Sequence, residues 1–151
     1  MTKPSASRWY SPLLIGAALV SAGLNNVPVG AQQQMYNPIA ISTSKEVADT
    51  LTEQDIPTGD GGFSRDYLVN LEEGDQVAID LLSDQFDTVV KLIATDGSTV
   101  AENDDGPDGG TNSLLFARIT ETGKYIVRVG AFGETGGGGF TLKVTRLRPV
   151  E

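Results

Sequence analysis

The chain has 151 residues, 20 Asp and Glu against 11 Lys and Arg, no Cys and no His. That length suits one domain of modest size, and the two missing residue types exclude disulfides, Cys/His zinc sites and His- or Cys-dependent nucleophiles. A formal charge of −9 has the wrong sign for a nucleic-acid footprint.

Residues 1–31 read as a secretory signal peptide. Lys3 and Arg8 give a basic start, Leu13 to Leu24 is an apolar run of twelve residues, and Val29-Gly30-Ala31 puts small residues before Gln32. A membrane span needs about 20 apolar residues, which weighs against the competing reading of an uncleaved anchor. Removal would leave 120 residues with 20 acids and 9 bases, a formal −11 that repels anionic membranes and nucleic acid. The expected location is periplasmic or extracellular. Residues 32–44, QQQMYNPIAISTS, lack charge and periodicity and read as a flexible tether, with Ile39 and Ile41 placed to pair onto the domain edge.

The folded domain is expected over residues 45–148. Lys45 to Leu51 suits a short helix or a first strand. From there the recurring signal is period two. Tyr67, Val69 and Leu71 alternate with Asp66, Leu68 and Asn70, and Val77, Ile79 and Leu81 with Ala78, Asp80 and Leu82. Residues 88–94 are apolar on both faces, as in a central strand. Ser113 to Ile119, Tyr125 to Val129 and Phe140 to Val144 continue the pattern. Turn chemistry separates the runs at 72–75, 95–98, 121–123 and 136–139, and Asp96-Gly97 is a hairpin signal. About eight strands in this length imply an all-β, antiparallel two-sheet sandwich. The expected core is Tyr67, Val69, Ile79, Leu81, Val89, Tyr125, Val127, Phe140 and Leu142.

The order of these pieces resembles the bacterial pre-peptidase C-terminal (PPC) domain family. The matching stretches are 66–71 (DYLVNL), 73–77 (EGDQV), 86–92 (FDTVVKL), 96–97 (DG), 100–105 (VAENDD), 122–129 (TGKYIVRV) and 139–144 (GFTLKV). The likeness covers roughly residues 45–147. It implies a secreted β-sandwich of jelly-roll type that is not itself catalytic. Relatives usually follow a peptidase, and some bind calcium or an extracellular matrix substrate. The expected order here is a signal, a short tether and the domain with no peptidase ahead of it, a departure that puts the usual escort role in doubt.

Asp84 to Asp108 is the densest acidic stretch, with seven acids and one base, Lys91. Calcium takes six to eight oxygens at roughly 2.3–2.6 Å. Asp104 and Asp105 are the first candidate ligands. Asp87 follows, because Phe86-Asp87 opens the strand expected beside the one ending at Asn103, and Asp108 and Asn103 come next. The spacing is not that of the helical calcium loop, and on composition alone a solvated acidic turn is the favoured reading of the same residues. The resemblance to a family with calcium-binding members brings the two readings level. A second candidate is Asp60-Gly61-Gly62, with Glu53 and Asp55 nearby; a plain loop accounts for it as well.

Other chemistry fails inspection. Paired carboxylates could run glycoside hydrolysis, but a sandwich of about 100 residues offers no cleft-forming length, and the chain after residue 31 has no Trp to stack on sugar. Gly136 to Gly139 is not followed by the Lys-Ser/Thr and helix of a phosphate cradle. Phe132, between small residues, is a contact for a partner or glycan, or ordinary loop packing. The expected function is therefore a secreted, non-catalytic accessory or binding module, not an enzyme, whose partner is an extracellular or periplasmic protein or polysaccharide. The alternatives are a structural envelope protein and, last, a small carboxylate-dependent hydrolase.

Overall fold

The computed structural model describes residues 36–133 and 136–147. The expected signal peptide, its cleavage point before Gln32 and the first residues of the expected tether lie outside them. Ten strands run in the order β1 (Ile39–Ala40), β2 (Glu46–Leu51), β3 (Ile56–Pro57), β4 (Phe63–Leu71), β5 (Gln76–Leu82), β6 (Thr88–Ile93), β7 (Thr99–Asn103), β8 (Ser113–Arg118), β9 (Gly123–Ala131) and β10 (Gly138–Leu147). About eight were expected; β1 and β3, two residues each, are too short to carry a period. Lys45 to Leu51 resolves as a strand, β2, not a helix.

Two sheets form. The first has the order β1-β4-β9-β6-β7, with β3 also on β4; the second has the order β2-β10-β5-β8. Every pairing is antiparallel except β1 with β4, which is parallel. Ranked by sequence, the eight strands of five residues or more lie as 2-7-4-5 in one sheet and 1-8-3-6 in the other.

Alternation dictates the core. Tyr67, Val69 and Leu71 from β4, Val127 and Val129 from β9, and Leu142 and Val144 from β10 are all at most 1% exposed. Ile79, Leu81 and Leu115 join the same cluster, Ile79 and Leu81 as register partners of Val144 and Leu142 in the second sheet. Phe140 stands at its centre, edge-on to Tyr67 (ring centroids 6.3 Å apart) and to Phe86 (6.4 Å). Two buried hydroxyls, Thr88 and Ser113, lie 2.5 Å apart with the carbonyls of Thr111 and Thr88 in reach, so each proton has an acceptor and neither group is left unsatisfied.

One expected core residue is misplaced. Val90 is fully buried, whereas Val89 is half-buried on the outer face. Both faces of β6 are apolar, so period two alone does not choose between them. The charge chooses: Lys91 shares the parity of Val89 and pairs across the sheet with Glu102 at 3.0 Å, which turns that face outward. The Asp96-Gly97 hairpin forms as expected, with Gly97 at φ 87° and its N–H donating to the Ala94 carbonyl at 2.9 Å.

Candidate functional site

The acidic loop joins β7 to β8 at one end of the sandwich. Asn103, the last residue of β7, donates from Nδ2 to the carbonyls of Asp105 (2.9 Å) and Leu114 (2.7 Å). The Leu114 N–H returns to the Asp105 carbonyl at 3.0 Å. The three residues thus cap the outer edge of β8, where unpaired backbone would invite a foreign strand. Gly106 is required there: a Cβ would lie 2.8 Å from the Asn112 carbonyl oxygen and 2.9 Å from Asp108 Oδ1. Asp108 accepts from Asn112 Nδ2 at 3.4 Å, and Asn112 Oδ1 in turn accepts the Ser83 N–H at 3.0 Å.

The sequence-predicted ligands are therefore neighbours in one loop cluster, but they do not converge. Asp87 enters through its carbonyl, which accepts the Phe132 N–H at 2.8 Å, and Asp105 likewise through its carbonyl. Asp104 is half-buried beyond the end of β7. Among the described residues, no three Asp, Glu, His or Cys side chains stand together in position to hold a metal ion. Calcium would need these carboxylates to turn toward a common point. In the second candidate loop, Thr58 rather than an ion organises the turn: its N–H and hydroxyl both donate to the Gly62 carbonyl, at 2.9 and 3.0 Å.

The strongest electrostatic groupings lie elsewhere, and sequence reasoning missed them. Arg65 stands between Asp55 (Nε–Oδ1 2.7 Å) and Asp49, while the Tyr67 hydroxyl donates to the other Asp49 oxygen at 2.7 Å. Burial opposes ionisation of Asp49, but the Tyr67 and Arg65 hydrogen bonds outweigh it and hold its carboxyl below the usual range. On the outside of the first sheet, Arg128 clamps Asp66 through two bonds of 2.7 and 2.8 Å, and Tyr36 donates to the same carboxylate at 2.5 Å. Burial first, and the Asp66 carboxylate second, push the Tyr36 hydroxyl up to about 12. Asp66 and Arg128 are 62 residues apart. Their only local sign was a charged residue inside each of two alternating runs.

Several large apolar side chains are exposed. Phe116 is 62% exposed on β8, and its register neighbour on β5 is Ala78, with Leu82 (47% exposed) further along that strand. On the same face the row Glu46–Lys143–Asp80 runs between Leu82 with Thr141 and Phe116 with Ala78 and Thr145, so the exposed apolar groups stand among charges. Phe132, at the acidic end, is 51% exposed.

This architecture, an antiparallel sandwich with its buried acids held by arginine and tyrosine, defines a class of small non-helical domain. Residues 63–131, from the start of β4 to the end of β9, match the family model described as Bacterial pre-peptidase C-terminal domain. Among solved structures, the chain is similar to the pre-peptidase C-terminal domain of a collagenase from Bacillus anthracis, at 17% identity and TM-score 0.55, over 72% of this chain and 95% of that one. It is also similar to Aeromonas hydrophila PliG, a periplasmic lysozyme inhibitor of g-type lysozyme, at 10% identity and TM-score 0.52, over 74% of this chain and 98% of that one. At these identities both likenesses are of fold. No curated protein matches the chain. The resemblance read from the sequence is thus shown on residues 63–131.

Proposed function

We propose that this chain is an exported, non-catalytic binding module of the pre-peptidase C-terminal type. The family match over β4 to β9 is the observation that carries the reading. The strand ranks 2-7-4-5 and 1-8-3-6 support taking the sandwich as a jelly roll, two interlocked Greek keys. A chain without Cys or His, whose buried Asp66 is held by Arg128 and Tyr36 and whose half-buried Asp49 and Asp55 are held by Arg65 and Tyr67, supports recognition rather than turnover. The order of basic, apolar and small residues over 1–31 supports export. The partner is an extracellular or periplasmic protein or polysaccharide, met by the outer face of the second sheet around Phe116.

Two measurements test this. Intact-mass analysis of the native protein should find Gln32 at the N-terminus; a chain that retains residues 1–31 removes the export reading in this form. The purified protein should turn over no substrate in a panel of peptides and glycans. Hydrolysis abolished by a single carboxylate-to-amide change would replace the module with an enzyme.

Calcium stabilisation of the acidic loop is a separate proposal, supported by the composition of Asn103 to Asp108 and by the family. A bound ion stabilises by mass action, about 2.7 kcal/mol at a hundredfold excess over its dissociation constant. The expected outcome is a melting temperature raised by calcium, lowered by chelator, and insensitive to both in Asp104→Asn with Asp105→Asn. A wild-type melt indifferent to calcium and chelator leaves the loop as the cap on β8 and nothing more.

A further inference from the structure

Residues 36–41 lie as a strap along the edge of β4. Tyr36 anchors one end on Asp66, whose side chain is 1% exposed and already clamped by Arg128. Pro38 fixes an extended approach. Ile39 and Ala40 then pair in parallel with Tyr67 and Leu68. The Ile41 N–H donates to the Leu68 carbonyl at 2.9 Å, and its side chain packs against the core. The strap is thus well matched to its groove but short, with two residues in the ladder.

It is joined to the rest of the domain by residues 42–45 alone, since β2 belongs to the other sheet. Within that link Ser44 has φ 69°, the one positive φ of a non-glycine residue among the described residues. A side chain is strained in that left-handed region. A short, strained hinge beside a short strand with few ladder bonds is an arrangement from which identical chains exchange elements.

We infer that residues 36–41 of one copy dock on β4 of a second copy, and the reverse, giving a strand-exchanged dimer. The occupant is a second copy because the groove selects this segment. Only a strap with a hydroxyl-bearing ring three residues ahead of its paired strand meets Asp66 and the β4 edge together. Exchange remakes the contacts of residues 36–41; it opens the turn in which the Lys45 N–H reaches the Ser42 carbonyl at 3.4 Å and frees Ser44 from its conformation.

The chain has no cysteine, so single cysteines report without background. Ala40 and Leu68 are register partners. The double variant A40C/L68C should close an internal disulfide, which confirms the strap on β4. Chains carrying A40C alone, mixed with chains carrying L68C alone under mild oxidation, should form a disulfide-linked heterodimer. Its yield should exceed several-fold that of a control mixture of A40C with T50C, in which Thr50 is exposed on the second sheet. Adding Ser44→Gly to both partners should lower the heterodimer yield several-fold and leave the internal bond of the double variant intact. A yield equal to the control, a yield indifferent to Ser44→Gly, or failure of the double variant to close its own bond overturns the inference.

Discussion

Asp66 carries a carboxylate almost wholly out of water, on the solvent side of a sheet, and survives there because Arg128 and Tyr36 surround it. The Tyr36 hydroxyl reports on that arrangement. Its value in the folded chain, about 12, lies above the ordinary 10.0. A raised value means that the contribution is complete below the ordinary value and is lost as pH climbs through the raised one. The strap is therefore expected to stay docked to pH 10 and to release on the way to 12. Difference absorbance of the phenolate, with Tyr36→Phe as reference, checks it; a Tyr36 titration at the ordinary value would show the strap undocked. Asp49, held by Arg65 and Tyr67, gives the opposite sign. Asp49 ionises below its ordinary value, so its contribution is present above that value and is lost as pH falls through the lowered one. Arg65→Met leaves Asp49 and Asp55 without their cation. With side chains 26% and 11% exposed, the cost is about 1–3 kcal/mol by urea denaturation, and acid unfolding should move to higher pH.

Among the elements, β4, β5, β9 and β10 were legible because each alternates apolar with polar residues, the imprint of a strand with one face in the core. Strand β6 was legible as a strand but not as to its face, since valine or leucine fills one parity and valine, lysine and isoleucine the other. The faces are expected to differ sharply under substitution. Val89→Lys should change the unfolding free energy from urea denaturation by less than about 1 kcal/mol, whereas Val90→Lys should cost about 4 kcal/mol or more by placing a charge in the core. Equal effects would show that the parity has been read the wrong way round. The acidic loop was legible as a loop and as a gathering of oxygens. Its actual bonds were not, because they run to backbone at Leu114 and Asp105 and depend on strand partners that no local pattern names. The Asp66–Arg128 clamp escaped for the same reason: its two residues meet only after β4 and β9 have paired.

At the scale of the whole molecule, β10 lies between β2 and β5. The first and third long strands of that sheet never touch each other; each waits for the last. In a chain made from its N-terminus at about 5–20 residues per second, β10 follows β2 by about 5–20 s. For that interval half of the sandwich lacks its middle, and Leu142 and Val144 are missing from the core that Ile79 and Leu81 must join. The second sheet therefore stays open until β10 has been made, although the strands of the first are all present by Ala131. A nascent chain with that timetable holds one wall of its core ready while the other still lacks the strand that joins it.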